Sequence, residues 1–361
     1  MKLNKNFWKK KRVLITGNTG FKGGWLTVLL NLLGSKIYGY AKNPVGKYNF
    51  YSETGISKLY EKDFRNDIKD FNLLKKRINT IKPEIIFHLA AQSSVIESFK
   101  DSQNTVMSNV VGTANILEAV KNQKSVKSVV IVTTDKVYQN YTIRKYFKEE
   151  SVLGGDDVYS GSKACCEILT NSYRKSFFSK LKCNIATVRA GNCFGGGDWT
   201  EDRIVKDSLQ CFYQDKNLVL RNPEATRPWQ HVIEPLVGYL ILAEKLFSKK
   251  GKNYSLPWNF GPSSKQNMKV INLAKKIHNK MNSKSKILIK KNERKFNNKK
   301  FKIFESKDLN IDSTKAFNLL KWRPHLSIDE AVSLTVDWYL AFKKNRNLLL
   351  LTRNQIKNYI D

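Results

Sequence analysis

The sequence of 361 residues contains no run of 18 apolar residues, and its cysteines and histidines are few. Without such a run, no segment is predicted to be a transmembrane helix. The basic first residues are not followed by an apolar stretch or a cleavage site, so no secretory signal is recognised. The five cysteines form no Cys-x-x-Cys pair and no metal-ligand spacing with the four histidines. We therefore expect a cytoplasmic protein with reduced thiols and no metal centre.

Acidic residues are also scarce, with 31 against 64 lysines and arginines, which gives a formal net charge of +33. A charge of this size attracts nucleic acids and anionic membranes without specificity. The lysines are, however, spread through nearly every segment rather than gathered on one face. We therefore expect no specific nucleic-acid partner and no membrane partner. A basic surface would still speed the arrival of an anionic small molecule.

From Arg12 to about Arg189, short apolar runs alternate with longer amphipathic ones, which indicates parallel strands joined by crossover helices. The sequence predicts an α/β fold, a Rossmann-type doubly wound parallel sheet in residues 1–190. A smaller C-terminal substrate-binding lobe is expected in residues 191–361, with segments at about 230–262 crossing back to the sheet. Strands are predicted at residues 13–15, 37–40, 85–89, 129–132 and 185–188.

Two long helical stretches, residues 101–122 and 158–178, have two interpretations. They pack against their copies in a homodimer or higher homo-oligomer, or they are ordinary helices that cover the sheet. Farther along the chain, residues 290–302 are rich in charge and asparagine, which predicts a solvated loop.

A glycine pattern directly follows the first predicted strand and opens a helix, which is the context that a dinucleotide-binding turn requires. The first glycine permits a tight turn, the second lets the backbone approach a pyrophosphate, and the third allows close packing of helix on strand. The candidate cofactor residues of this turn are Gly17, Thr19, Gly20, Phe21, Lys22 and Gly23.

The second predicted strand lacks the carboxylate that usually holds the adenosine ribose at this position. Lys42 stands near the strand's end instead and would suit a 2′-phosphate, so this strand leaves NAD and NADP open. Asp67 and Ile68 are candidates for holding the adenine amine, although Asp67 has the alternative of simply capping a loop.

Two further strand ends carry candidate site residues. Small or apolar residues at Leu89, Ala90 and Ala91 would let the backbone lie close to a cofactor. The alternative is that these residues only form a tight strand end. Polar residues Thr134, Asp135 and Lys136 follow an apolar strand at the carboxyl edge, where open α/β sheets bind ligands. An exposed strand cap would look the same.

Tyr159 and Lys163 are four residues apart, which places both on one face of a predicted helix. An ammonium there is expected to depress the phenol pKa from its usual value of about 10, giving a base for a sugar hydroxyl. Thr134 completes a set of hydroxyl, phenol and ammonium, and Asp135 with Lys136 adds a separate acid and base. A simple dehydrogenase has no need for that second pair.

Taken together, these motifs resemble the nucleotide-sugar 4,6-dehydratases of the extended short-chain dehydrogenase/reductase superfamily, and among them the CDP-glucose branch. The resemblance runs from Phe7 to the C-terminal helices. Its markers include Gly-Asn-Thr-Gly-Phe-Lys-Gly at 17–23, Thr-Thr-Asp-Lys at 133–136, Arg-Ala-Gly-Asn at 189–192, Gly-Gly-Gly-Asp-Trp at 195–199, Arg-Asn-Pro at 221–223 and Arg-Pro-Trp-Gln-His-Val at 227–232.

The resemblance implies bound NAD and a nucleotide-sugar substrate, in deoxysugar biosynthesis. It implies that Tyr159 takes the 4-hydroxyl proton, that Asp135 protonates the departing 6-hydroxyl and that Lys136 removes the C5 proton. The dTDP-glucose branch has a glutamate at the position of Lys136. A lysine must be neutral to remove a proton, so the alternative role for Lys136 is electrostatic stabilisation of an enolate. The implied substrate-binding residues are Gln92, Asn192, Arg203, Arg221, Arg227 and His231, with arginines meeting the diphosphate.

Two other functions remain open from the sequence. A nucleotide-sugar 4-epimerase shares the Tyr–Lys chemistry, but Asp135 and Lys136 favour dehydration. A non-catalytic dinucleotide-binding or nucleic-acid-associated protein is the alternative from another class, and the intact set of Thr134, Tyr159 and Lys163 argues against it.

Overall fold

A computed structural model describes residues 3–139, 146–262, 266–290, 295–296, 299–300 and 309–361. Its centre is a seven-stranded sheet whose strands, β1 to β7, are Arg12–Thr16, Lys36–Ala41, Lys62–Arg65, Ile85–His88, Ser128–Val132, Asn184–Ala190 and Pro257–Phe260. The order across the sheet is β3-β2-β1-β4-β5-β6-β7, and all neighbours are parallel. This confirms the predicted doubly wound α/β fold. The order reverses between β1 and β4, and ligands bind at such a switch point.

Nine helices of ten residues or more are described, α1 to α9: Phe21–Leu32, Phe71–Ile81, Gly112–Lys121, Val158–Tyr173, Ile204–Tyr213, Ile233–Phe247, Val270–Met281, Ile328–Lys343 and Leu348–Ile360. Shorter helical segments are Lys5–Trp8, Phe50–Thr54, Ile56–Leu59, Val95–Lys100, Ser102–Val106, Met107–Val111, Asp135–Val137, Arg174–Phe178, Gly251–Tyr254 and Ala316–Leu320. None of the helices in the described ranges is long and apolar enough to cross a membrane.

Strands β1, β4, β5 and β6 are buried on both faces, because consecutive side chains point to opposite sides of the sheet and nearly all of them are buried. Leu14 of β1 joins a core cluster with α2 and α3, whereas its neighbours Val13 and Ile15 join a larger cluster with α1, α6, α8 and α9. The C-terminal helix α9 is fastened to α1, where Arg353 donates a 2.7 Å hydrogen bond to Asn31. The sheet is therefore held rigidly between two helical layers.

Short strand pairs build the second side of the molecule: Leu218–Leu220 with Ile287–Ile289, Thr226–Pro228 with Asn267–Lys269, Cys193–Phe194 with Gln230–His231, and Tyr146–Phe147 with Asn310–Ile311. Segment 230–262 returns to the sheet through α6 and β7. Proline opens β7, a position that needs no donated ladder hydrogen bond on an edge strand. The loop predicted over 290–302 lies largely outside the described residues, and within it Lys295–Phe296 pairs with Lys299–Lys300.

Candidate active site

A cleft of about 770 Å³ runs along the carboxyl ends of the strands and is closed on its other side by the short-strand region. Its walls come from the β1–α1 turn, the ends of β2, β4, β5 and β6, and helices α4 and α5. The cleft brings together every residue that the sequence predicts for the site except His231.

The glycine turn has the shape that a pyrophosphate requires. Gly17 has a φ of 73°, and a Cβ atom there would lie 2.6 Å from the backbone nitrogen of Ala90. A Cβ atom on Gly23 would collide with the Gly17 carbonyl oxygen. Helix α1 begins after Gly20 without a side-chain cap, so its first N–H groups are free to bind an anion. These residues fit a dinucleotide, whose pyrophosphate would lie against the start of α1.

The adenosine end of the cleft carries a paired carboxylate. Asp67 lies 3.8 Å from the ammonium of Lys42 and 3.5 Å from that of Lys69. Lys42 is therefore part of an ion pair, rather than an isolated cation that awaits a 2′-phosphate. Ile68 lines the same end of the cleft.

Asp63 on β3 supports the glycine turn from the neighbouring strands, a contact that the sequence did not predict. Its carboxylate accepts a 2.9 Å hydrogen bond from the side chain of Asn18, inside the glycine turn, and a 2.7 Å bond from the Tyr51 hydroxyl. Gly39 of β2 makes room for this contact, because a Cβ atom there would strike both Asp63 and Asn18. The glycine within this largely apolar strand is the sequence feature that could have indicated the close contact.

Tyr159 and Lys163 lie on the cleft side of α4, which Asp157 caps by accepting a 2.9 Å hydrogen bond from the Ser160 backbone. The Lys163 ammonium donates to the Val132 carbonyl at 3.0 Å, and burial lowers the pKa of Lys163. Burial also raises the pKa of Tyr159 to about 12, although a hydrogen bond with Thr134 acts in the opposite direction.

The expected depression of the Tyr159 pKa by Lys163 is therefore wrong for the protein by itself. The physical reason is that both side chains are buried, and burial disfavours the charged phenolate as well as the charged ammonium. The ammonium is moreover engaged with the end of β5.

The Thr134–Lys136 segment turns immediately after β5. The Thr134 hydroxyl donates to one carboxylate oxygen of Asp135 at 3.1 Å, and the Lys136 ammonium lies 3.3 Å from the same oxygen. Asp135 is 1% exposed, and its other oxygen, Oδ2, has no partner among the described residues. The Lys136 side chain is 30% exposed. A buried, unpartnered carboxylate oxygen beside the phenol is positioned to meet a polar group of a ligand.

A buried ion pair supports these groups from behind, and it too was missed from the sequence. Both oxygens of Glu167 accept from Arg189, at 3.0 and 2.9 Å, and they also accept from Thr133 and Thr187. Glu167 lies one helical turn beyond Lys163, so the four-residue spacing from Tyr159 already pointed to it. The network links α4, β5 and β6 directly beneath Thr134.

Three arginines face the cleft from the second side of the molecule. Arg203 precedes α5, Arg221 pairs with Asp202 at 2.8 Å, and Arg227 is 7% exposed on a short strand. Asn192 lines the cleft with a buried side-chain oxygen that has no partner among the described residues. The cluster of guanidinium groups suits a diphosphate.

Two predicted substrate residues have protein partners of their own. The Gln92 amide nitrogen donates at 2.9 Å to both Ser94 and Thr105, so this side chain braces the cleft wall. His231 lies behind the wall, with its ring 5.2 Å from that of Trp25. Burial lowers the pKa of His231 to about 3, which makes it a neutral packing residue in this structure.

Comparison with known proteins places this chain among sugar-nucleotide enzymes. The family model described as GDP-mannose 4,6 dehydratase matches residues 14–335. A CDP-glucose 4,6-dehydratase of Salmonella typhimurium is 35% identical, over 99% of this chain and 98% of its own length. A human dTDP-D-glucose 4,6-dehydratase is 26% identical, over 91% of this chain and 90% of its own.

Solved structures agree with the fold. A UDP-glucose 4-epimerase from Thermotoga maritima, with UDP-glucose, has a TM-score of 0.78 at 19% identity, covering 91% of this chain and 98% of its own. A dTDP-glucose 4,6-dehydratase from Bacillus anthracis, in complex with NAD, has a TM-score of 0.75 at 21% identity, covering 94% and 99%. The cleft geometry and the match over most of the chain agree, and the chain belongs to the family described as GDP-mannose 4,6 dehydratase, which confirms the resemblance of its motifs to nucleotide-sugar 4,6-dehydratases.

Proposed function

We propose that this protein is an NAD-dependent CDP-glucose 4,6-dehydratase, which converts CDP-glucose to CDP-4-keto-6-deoxyglucose and water. Such a product serves the synthesis of deoxysugars for surface polysaccharides. The observation that carries the proposal is the Asp135 carboxylate, buried beside Thr134 and next to Lys136, in a chain 35% identical to a CDP-glucose 4,6-dehydratase over nearly its whole length. A 4-epimerase needs the phenol but not this acid.

Each protein group has a place in the reaction. The glycine turn and the start of α1 would hold NAD, which would supply reversible hydride storage to the reaction, so none would be consumed. Tyr159 and Thr134 hold the 4-hydroxyl and take its proton. Asp135 then protonates the departing 6-hydroxyl, through the carboxylate oxygen that no described residue contacts by a hydrogen bond. Lys136 lies beside it, to remove the C5 proton or to stabilise the enolate.

The cofactor is inferred to be NAD rather than NADP. The Lys42 ammonium already pairs with Asp67, which leaves it less free for a 2′-phosphate. The glycine turn and the uncapped start of α1 suit the pyrophosphate that both cofactors share. Heat-released cofactor, identified by chromatography, is expected to be NAD, and recovery of NADP would overturn this assignment.

Incubation with a panel of glucose nucleotides tests the function. CDP-glucose is expected to give a 4-keto sugar, seen by its absorbance in alkali, with no net formation of NADH. Stoichiometric NADH would indicate a dehydrogenase, and a galactose nucleotide as the sole product would indicate an epimerase. Faster turnover of dTDP-glucose or UDP-glucose would keep the dehydratase and change its substrate.

We further infer a homodimer formed through α4 and the helical segments between Ser102 and Lys121. This surface exposes apolar side chains, among them Val106, Met107, Ile168 and Phe177. Ile168 is 55% exposed, and so is Leu319 on a different surface. Sedimentation should show that Ile168→Glu lowers the mass to that of a monomer while Leu319→Glu does not. A dimer that survives Ile168→Glu would refute this interface.

We also infer that the enzyme works in the cytoplasm. All five cysteines are free thiols, which is typical of a reducing compartment. Fractionation of cells should recover the protein and its dehydratase activity together in the soluble cytosolic fraction. Recovery in a membrane or secreted fraction would contradict the assignment.

A further inference from the structure

We propose that Tyr48 and Trp199 couple the cofactor side of the cleft to the substrate side, so that NAD and the sugar nucleotide each strengthen the binding of the other. This inference rests on the proposed function, because it concerns how the same cleft holds its two ligands. The described residues that line the cleft include neither Tyr48 nor Trp199. Both are therefore positioning residues, which act through neighbours that do line it.

The cofactor side is the segment of residues 42–49, which follows β2. Lys42 and Val45 line the adenosine end of the cleft. The Lys42 carbonyl accepts a 3.2 Å hydrogen bond from the hydroxyl of Thr19, in the glycine turn. The segment then turns away into solvent, since Val45 is 85% exposed and Gly46 has a φ of 86°. A dinucleotide at the glycine turn would therefore fix the first part of this segment.

Tyr48 brings the same segment into contact with the substrate side. Its ring centroid lies 5.3 Å from that of Trp199 and 5.2 Å from that of Phe342 on α8. Trp199 in turn lies 4.8 Å from Phe342 and 5.0 Å from Tyr339 on the same helix. Tilted and edge-on contacts between aromatic rings are worth on the order of 2- to 10-fold in an equilibrium constant. The four rings form one cluster between the two sides of the cleft.

Trp199 lies in a segment that is fastened to α8. The neighbouring Asp198 lines the cleft, and its carbonyl accepts a 2.6 Å hydrogen bond from the Tyr339 hydroxyl. Gly196 packs so closely on Trp338 that a Cβ atom there would collide with the indole ring. The indole nitrogen of Trp199 is buried and has no hydrogen-bond partner among the described residues. Ring packing therefore sets the position of this side chain.

The residues after Trp199 present the groups that we assign to the diphosphate. Asp202 has a φ of 57° and forms an ion pair with Arg221 at 2.8 Å. Arg203 follows at the start of α5, and its guanidinium lies 3.5 Å from the carbonyl oxygen of Ser93, beyond the end of β4. A change in the position of Trp199 is therefore passed along the chain to Arg203, and through Asp202 to Arg221.

The ring cluster thus has one member on each ligand's side. When NAD is bound, residues 42–49 are fixed, and Tyr48 then holds Trp199 where the two arginines meet the diphosphate. Coupling between two binding sites is reciprocal, so a bound diphosphate must tighten the binding of NAD by the same factor. Without the Tyr48 ring, both ligands should lose that factor.

Binding measurements on the NAD-loaded enzyme test the coupling, with CDP as an unreactive probe that carries the diphosphate. Release of radiolabelled NAD into excess unlabelled NAD is followed with and without CDP, and calorimetry gives the Kd of CDP. CDP should slow NAD release severalfold in wild-type enzyme. Tyr48→Ala should raise the Kd of CDP by about 3- to 10-fold, and CDP should then slow NAD release little. The KM for CDP-glucose should rise with that Kd, while kcat changes little.

Tyr48→Phe is the matched control, since it keeps the ring and should keep the wild-type Kd of CDP and the wild-type effect of CDP on NAD release. Tyr146→Ala removes a tyrosine of similar exposure, 45% against 39%, outside the cleft wall, and should behave as wild type. Melting temperatures establish that each variant is folded. In a Trp199→Leu background, adding Tyr48→Ala should raise the Kd of CDP little further, because the contact is already lost.

The inference is overturned if Tyr48→Ala keeps the wild-type Kd of CDP and CDP slows its NAD release as much as in wild type. Equal losses in Tyr48→Phe and Tyr48→Ala would also overturn it, because the ring contact would then not be the cause. Wild-type enzyme that turns over CDP-glucose but releases NAD at the same rate with and without CDP refutes the coupling alone. Wild-type enzyme that forms no 4-keto sugar from CDP-glucose refutes the proposed function.

Discussion

At the scale of single residues, the phenol of Tyr159 has the most direct assignment to the oxidation step. It lies buried on α4 in contact with Thr134, and its removal leaves the helix cap and the Lys163 contact unchanged. The backbone around it is held by the Glu167 network rather than by the phenol oxygen.

Tyr159→Phe should therefore lower the rate of NADH formation by about 10²- to 10⁴-fold, the usual worth of general acid–base catalysis, and leave the melting temperature close to wild type. Single-turnover absorbance with CDP-glucose measures the first quantity. Tyr173→Phe on the same helix, where the hydroxyl donates to Glu118 away from the cleft, is the control and should keep full activity. Near-normal NADH formation in Tyr159→Phe would remove the residue from the mechanism.

Lys136 has two candidate roles, and the structure favours the electrostatic one. Its side chain is 30% exposed and forms an ion pair with Asp135, which suits a cation that stabilises negative charge on the oxidised sugar.

An electrostatic role predicts that Lys136→Arg keeps part of the elimination rate, while Lys136→Met loses about 10² to 10³-fold, as for other lost charge-stabilising donors. Arginine cannot act as a base, since its guanidinium does not lose a proton in proteins. Product formation after NADH has appeared, followed by quenching and chromatography, separates the roles. Equal loss in both variants would identify Lys136 as the C5 base.

At the scale of elements, the turn from β1 to α1 depends on backbone space that only glycine leaves. Gly17 combines a positive φ with close contact to β4. Gly161, within α4, has nothing within 4 Å of its virtual Cβ atom.

Gly17→Ala should thus lose bound NAD and activity, because the turn must move away from the pyrophosphate. Gly161→Ala is the matched control and should bind NAD normally, with a gain of about 1 kcal/mol in stability from better helix propensity. The NAD content of each purified variant measures cofactor binding, and urea unfolding measures the change in stability. Normal NAD content in Gly17→Ala would show that the turn does not hold the cofactor.

The buried ion pair between Glu167 and Arg189 is the centre of the network that links α4, β5 and β6. Burial alone would raise the pKa of Glu167, but the charge and hydrogen bonds of Arg189 outweigh it, and the pKa of Glu167 is lowered below 4.5. A carboxyl group with a depressed pKa contributes stability above its unfolded pKa, and loses it as pH falls through the folded value.

The free energy of unfolding should accordingly fall as the pH is lowered below about 4.5, where the unfolded carboxyl begins to bind its proton. Glu167→Gln removes this dependence and leaves Arg189 uncompensated, at a cost of about 3 to 5 kcal/mol at pH 7. Urea unfolding across pH 3 to 7 measures both effects, with the exposed Glu61→Gln as a control. An unchanged pH dependence in Glu167→Gln would assign the acid sensitivity to other carboxyl groups.

At the scale of the whole molecule, the net charge of +33 surrounds a cleft lined with arginines. A field of this sign draws an anionic sugar nucleotide toward the protein, and salt screens it over about 8 Å at 0.15 M.

Raising the salt concentration should therefore lower kcat/KM for CDP-glucose severalfold while kcat changes little, because the field acts on encounter rather than on the chemical steps. Steady-state kinetics from low to high NaCl, at constant viscosity, provide the measurement. A fall in kcat of the same size as the fall in kcat/KM would point to an effect inside the site instead.

The sequence by itself determined five of the seven strands of the sheet and most of the cleft. Apolar runs bounded by glycine and polar residues specify buried parallel strands, and the carboxyl ends of such strands meet at one edge. Residues 17–23, 133–136 and 159–163 could therefore be assigned to one site, because each follows a strand or opens a helix there. Their order along the chain also carried the resemblance that the family match confirmed.

Only the tertiary structure decided what surrounds each of these groups. The pKa of Tyr159 depends on burial by segments distant in sequence, so local spacing to Lys163 gave the wrong direction. Asp63 on β3 reaches the glycine turn across β2, and His231 packs behind the cleft wall rather than facing it. Local pattern fixes which face of a strand or helix a side chain occupies. The packing of distant segments against that face determines which charges, hydrogen bonds and solvent the side chain meets there.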